Sequence, residues 1–366
     1  MTVLETMIYN YNKIAHRITG FHDAIILVFE NIFAQDLSDY DEHLLIPEGF
    51  KDIVRASKAK LENPLKELVK IYHGLPSNDK ALVKEALKVN NDIDCLYNKE
   101  KFPIKYSALH KTIQKPLKIF FTDLWECYPI VKAVNTTYGS KLEHYETIVD
   151  QGDIKVLICP FCGIENFKKK GTKKREAYDH FLAKSDYPFI SMNFDLLFPT
   201  CHTCNSDEKK DKDTLYNKDG TRRKMYDPYD PQISQNPLEI NIVRNESYNK
   251  KSLSTILSNI DWSLNFYRTG NTQEELTTWL DVYGIDKRYE TEIKALERCW
   301  LSIILDDFKR SSKLGEPFND FVKEELKKAN KKIKFTAGGI IIFHYYRYLL
   351  TQDNIEERLK VACNMN

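Results

Sequence analysis

The sequence contains no long apolar run. A membrane span needs roughly 18 consecutive apolar residues, and the most apolar runs here, Ala24 to Phe29 and Ile340 to Phe343, are far shorter. No basic segment leading into an apolar one stands at the start, so a secretory leader is not expected and the protein is placed in the cytoplasm. Net charge is almost absent: 54 Lys and Arg against 53 Asp and Glu leave +1. A nucleic-acid partner is therefore not announced by the chain as a whole, and any basic surface must be local. Internal repeats and low-complexity segments are also lacking, which excludes solenoids and biased linkers.

What is present describes a folded chain. Hydrophobic residues make up 42% and charged residues 29%, with 21 Tyr and 19 Phe to fill sizeable cores. The 366 residues allow two or three domains of ordinary size.

Residues 1–148 read as helical. Leu65, Leu68, Val69 and Tyr72 fall on helical spacing, as do Leu82, Val83, Ala86 and Leu87. His16, His22, His43, His73, His110 and His144 are scattered singly and read as surface or satisfied core residues. The middle, 149–225, turns to short apolar segments, paired cysteines and lysine-rich loops. The last part, 226–366, opens with turns around Tyr226 to Pro231 and a strand over Leu238 to Val243. Helices follow, one ending at Gly284, the next running to about Phe308, and a last one expected over Ala337 to Val361. The run Lys327, Lys328, Lys331, Lys332 and Lys334 reads as a solvated helix face.

Four of the eight cysteines form two Cys-x2-Cys pairs, Cys159 with Cys162 and Cys201 with Cys204. Two such turns aim four thiolates at one tetrahedral zinc ion, a closed site that staples and does not catalyse. A reducing compartment favours metal over disulfides at clustered cysteines. The gap between the pairs is too long for a simple zinc ribbon, so something folded sits between them. His202, inside the second pair, is expected to face solvent. Cys95, Cys127, Cys299 and Cys363 read as small buried hydrophobes.

The insert carries Asp179-His180 and, further on, Asn193, and the second pair is followed at once by Asn205, with Lys209 and Lys210 behind it. His180 is the one plausible general base here, because imidazole takes a proton near neutral pH. Asp179 precedes it on a presumed strand, where alternation aims the two side chains to opposite sides.

This order of motifs, over 65 to 75 residues, resembles the HNH, or ββα-metal, endonuclease family. The resemblance implies an α+β fold, a mainly helical chain with an inserted ββα-metal module. It implies metal-dependent phosphodiester hydrolysis, with 5′-phosphate and 3′-hydroxyl products. Asp179 and Asn205 would hold a catalytic magnesium or manganese ion, whose hard character suits oxygen ligands. The central residue would orient His180, through the Asn193 side chain or the Leu196 carbonyl. Two positions depart from the family pattern: Ala183 stands where a Pro is common, and Leu196 where the central Asn is usual.

The basic loop Lys168 to Arg175, with Lys170, Lys173, Lys174 and Arg175, leads into the catalytic strand. From Lys155 to Lys224, fifteen Lys and Arg face ten Asp and Glu. Such groups position a phosphate backbone without reading sequence. Lys209 or Lys210 is the expected contact to the scissile phosphate. The expected partner is duplex DNA. More loosely, the run from the second knuckle through Tyr289 is similar to bacterial phage-defence HNH nucleases of the Septu type, which work with an ATPase. That resemblance implies a defence effector held in check by a partner. A catalytically silent nucleic-acid-binding module and a ribonuclease toxin are the rival readings.

Overall fold

The structure is a computed structural model that describes residues 11–151, 154–210, 212–230, 238–244, 262–268, 273–333 and 335–365. Lys334, Pro231 and the side chain of Cys95 lie outside the described residues. The chain is mainly helical with small antiparallel sheets, an α+β arrangement.

The helical spacing read before residue 149 forms helices. In Asn63–His73 the buried residues are Leu65, Leu68, Val69 and Tyr72, one stripe at the helical period. Helix Lys111–Glu126 buries Ile113, Leu117, Phe120, Phe121, Leu124 and Trp125. Ser140 starts helix Lys141–Val149 through a capping box with Glu143, which satisfies two backbone donors at once.

Six strands pair as three hairpins among the described residues: β1 (Asp150–Gln151) with β2 (Ile154–Lys155), β3 (Ala177–His180) with β4 (Leu197–Thr200), and β5 (Leu238–Arg244) with β6 (Trp262–Arg268). In β5, Leu238, Ile240 and Ile242 are buried at the period of two that a half-buried strand requires. That hairpin packs on helices Ile285–Lys313 and Gly339–Leu350.

The middle segment is woven into both flanks. Phe189, fully buried, sits with its ring centroid 5.2 Å from those of Phe29 and Phe121 in the N-terminal helices. On the other side, Trp279 Nε1 donates to the Phe161 carbonyl and the Tyr289 hydroxyl to the Cys162 carbonyl, both at 2.8 Å. Aromatic side chains buried this way are worth about 3–5 kcal/mol each against alanine.

Two expectations change. The last helix is two, Gly339–Leu350 and Ile355–Ala362, separated by a turn in which Asn354 adopts φ +56°. A left-handed residue ends helical hydrogen bonding, and Asn accepts that conformation more readily than most. Cys299 is exposed and Cys127 half-buried, while Cys363 is buried as expected. Of the scattered histidines, His22 and His144 are core residues, one of the two settings expected of them, and His344 is buried as well. The lysine run does form a solvated face on helix Phe318–Lys332, where Lys327 pairs with Glu324 and Lys328 with Glu325.

Burial holds these imidazoles below their ordinary range, His22 at about 4, and His144 and His344 at about 3. The unfolded chain therefore binds more protons than the folded one below pH ~6.5, so stability falls as pH falls through that window. In urea unfolding from pH 7 to pH 4, His344→Leu is expected to flatten the decline by about 1.4 kcal/mol per pH unit. A wild-type slope in the variant would mean that His344 is not neutral in the fold.

Candidate functional site

The four paired cysteines converge. All are buried, and their sulfurs lie within 4.8 Å of one another. Cys159 Sγ is 3.9 Å from Cys204 Sγ, and Cys162 Sγ is 3.8 Å from Cys201 Sγ. A disulfide would bring a pair to about 2.05 Å. Four thiolates at the usual zinc distance of about 2.3 Å stand about 3.8 Å apart in a tetrahedron. The residues therefore fit one tetrahedral ion, compatible with structural zinc.

The knuckle backbone supports this. The amide of Ile164 donates to Cys162 Sγ, and that of Cys204 to Cys201 Sγ, both at 3.4 Å. Gly163 follows the first pair at φ +65°, with its amide on the Cys159 carbonyl at 2.8 Å. Glycine meets that left-handed turn without a side-chain penalty. Arg288 Nη1 lies 3.2 Å from Cys204 Sγ and offsets part of the thiolate charge. His202 projects into solvent, as its place in the motif suggested, 3.3 Å from Asp207.

The second knuckle leads straight from β4 into a π-helical turn, Thr203–Lys209. In the β3–β4 hairpin Asp179 faces Phe198 and His180 faces Leu197. A hairpin and a helical turn thus meet at one cleft of about 350 Å³. Asp179, His180, Asn205, Arg175 and Lys210 all line it.

His180 is only 8% exposed. Its Nε2 lies 3.3 Å from the Ser191 carbonyl, and the Trp125 ring packs edge-on against the imidazole at 4.6 Å. A carbonyl accepts only a proton-bearing nitrogen, so Nε2 carries the hydrogen and Nδ1 the basic lone pair. Burial, reinforced by Lys184 and Lys209, pushes the imidazolium well below its ordinary range. The ring is neutral at physiological pH, the form a base requires.

The residue orienting His180 is neither of those the sequence offered. Asn193 spends its side chain elsewhere: its oxygen accepts from the Asp195 amide at 3.0 Å and its nitrogen donates to Asn91 at 2.9 Å. The Leu196 carbonyl accepts from the Phe181 amide at 2.9 Å, closing the strand pair. The Ser191 carbonyl takes the role, two residues before Asn193.

Asp179 and Lys209 also depart from expectation. Asp179 is 2% exposed and Lys209 3% exposed. The Lys209 ammonium donates to Asp179 Oδ1 and to the His180 main-chain carbonyl, and the Tyr283 hydroxyl donates to Asp179 Oδ2 at 2.8 Å. Burial raises the Asp179 carboxyl, and Lys209 and Tyr283 oppose that shift. Lys209 is therefore an internal counter-ion and not a surface contact to phosphate. Both Asp179 oxygens are engaged, so in this arrangement the carboxylate does not fit a hydrated magnesium or manganese ion. Asn205 is half-buried at the cleft, as the motif placed it.

Of the basic residues, Arg175 reaches the cleft, stacked over Tyr178 at 5.2 Å, and exposed Lys210 lines it. Lys173 and Lys174 are exposed on the loop away from it, and Lys170 stands 3.9 Å from Asp150. The sequence reading missed Trp125, Lys184, Ser191 and Tyr283. Trp125 and Tyr283 arrive from helices on either side of the middle segment, and nothing local to the motif signals them. Among the described residues no helix is long and apolar enough to cross a membrane. No family model, curated protein or solved structure matches the chain.

Two outcomes test this geometry. Cys201→Ser is expected to lose zinc, measured by metal analysis. It should also melt ~10 °C lower or more, since binding at such sites is largely folding free energy. Lys209→Met leaves a buried carboxylate unpaired and should destabilise by about 3–5 kcal/mol in urea unfolding. Adding Asp179→Asn should recover much of that loss, whereas additive losses would show that the two do not pair.

Proposed function

We propose that the chain is an HNH-type endonuclease that hydrolyses phosphodiester bonds, with duplex DNA as substrate. One observation carries the reading. A neutral histidine with its Nε2 fixed on a carbonyl lines the same cleft as Asn205, Arg175 and Lys210, on a hairpin and helical turn joined by a four-cysteine staple.

The chemistry follows from those groups. His180 Nδ1 takes a proton from a water molecule as its oxygen attacks phosphorus; the bond from phosphorus to the 3′-oxygen breaks, and that oxygen takes a proton from solvent water to leave as the 3′-hydroxyl. Arg175 and Lys210 bring fixed positive charge to the cleft, where negative charge grows on the phosphoryl oxygens. The Ser191 carbonyl and Trp125 hold the imidazole, which keeps the base in one tautomer and one orientation.

A magnesium or manganese ion on Asp179 and Asn205, as the family resemblance implies, requires Lys209 to leave Asp179. That closed pair suits a nuclease held inactive until triggered, as expected of a phage-defence effector with a regulatory partner. The same closure favours the second reading, a catalytically silent module that only binds nucleic acid.

Plasmid cleavage with magnesium or manganese separates them. Metal-dependent cutting by the wild type is expected to fall about 10²–10⁴-fold in His180→Ala while zinc is retained, and free cutting by the purified chain without any partner would overturn the closed, triggered state. Equal cutting by both proteins would remove His180 from the chemistry. Binding without cutting under every metal would favour the silent module, and preferential cutting of structured RNA would favour a ribonuclease.

A further inference from the structure

The helices before residue 149 supply Trp125 to the site and otherwise take no part in the reading above. One of them does more than support His180. Helix Lys111–Glu126 ends beside the cleft, and its upstream half carries Lys111, Lys115 and Lys118, all exposed. Steps of four and three place them on one side of the helix. With Lys105 they line a groove of about 600 Å³. Ser185 lines both this groove and the cleft of His180, so the two are contiguous.

Three observations separate these lysines from an ordinary solvated face. The acids of the groove already have cations: Asp123 meets Lys60 at 2.6 Å and Asp186 meets Lys105 at 3.7 Å. Among the described residues, Lys111, Lys115 and Lys118 form no ion pair. By contrast, Lys327 and Lys328 of the lysine-rich C-terminal helix both pair with acids three residues away. Finally, the three lysines occupy the N-terminal half of their helix, whose first turn has no acid. Lys111, in that first turn, opposes the helix dipole. Ile119, 50% exposed on the same groove, adds an apolar contact of the kind a sugar edge accepts.

We propose that this groove is the track along which the phosphate backbone of duplex DNA reaches the cleft. Helix rise separates Lys111 from Lys118 by about 10 Å, the axial span of about three phosphates of one strand. Trp125 lies about 10 Å further on, so the track meets the backbone some three to six base pairs from the cut. The inference rests on the nuclease reading for what happens at the cleft, but binding is measurable without cleavage.

The experiment uses the full chain in EDTA, with a short fluorescent DNA duplex titrated across a range of salt. K111Q/K115Q/K118Q is compared with wild type and with K327Q/K328Q/K331Q as control. The groove variant should bind at least ~10-fold more weakly and lose roughly 2.5–3 from the slope of log K against log salt. The control should keep the wild-type slope. Zinc content and melting temperature report on folding, and each single substitution, removing about 0.9 of slope, serves if the triple variant does not fold.

A wild-type slope in the groove variant overturns the proposal, while cleavage lost only in His180→Ala leaves the nuclease reading standing. A lost slope in a protein that cuts nothing under any metal upholds the track and ends the nuclease reading. Absence of duplex binding at low salt overturns the track whatever the cleavage assay gives.

Discussion

Four buried sulfurs fix the distance between two stretches of chain that sequence keeps far apart. Cys159 and Cys162 sit on a turn after β2, and Cys201 and Cys204 close β4 and open the helical turn Thr203–Lys209. A tetrahedral ion admits one spacing for its thiolates, so binding it sets where that turn begins. Asn205 follows the last cysteine directly, and Lys209 stands at the far end of the same turn. Both positions beside Asp179 and His180 depend on the staple. Arg288 and the knuckle amides stabilise the thiolates from the protein side, and Gly284, just before the helix that carries Arg288, takes φ +58°, a left-handed turn that glycine adopts without penalty.

The buried charge pair is the second constraint. A carboxylate as enclosed as Asp179 is costly unless a cation and hydrogen bonds meet it. Lys209 and Tyr283 meet both oxygens. Because Lys209 also holds the His180 carbonyl, the pair ties the end of β3 to the helical turn. Stability and chemistry pull in opposite directions at this carboxylate: the groups that make it tolerable to bury are those that close it to other cations. Removing Lys209 alone leaves an uncompensated charge. Withdrawing the lysine is therefore tolerable only where another cation takes its place.

Much of the site was legible because its chemistry is local in sequence. The paired cysteines, the Asp179-His180 dipeptide and Asn205 each declare themselves by residue type and spacing, and the structure gathers all of them. The fold class was legible for a similar reason, since periodicity of three to four marks the helices and period two marks β5. What stayed hidden depends on contacts across the chain. Trp125 reads as one more buried aromatic of a helix until its ring is found on His180. Ser191 acts through its carbonyl, which every residue has, so no residue type announces it. Lys209 looks like a surface lysine because lysines are rarely buried, and only the carboxylate opposite explains the exception. The break after Leu350 was missed because Asn354 imposes it by a single left-handed residue and not by Pro or Gly.

These separations also bear on how the site is divided among the parts of the chain. His180 is carried by the hairpin, the ring that packs on it by an N-terminal helix, and the hydroxyl that closes Asp179 by a C-terminal helix. Phe189 reaches from the middle segment into the N-terminal core, while Trp279 and Tyr289 reach back onto the first knuckle. A small hairpin buries too little surface to stand alone, so its rigidity comes from both flanks. The helical regions are therefore part of the support of this cleft, and a movement in either one changes the setting of His180 or of Asp179. The packing that holds His180 in place is itself the connection between the cleft and both flanks.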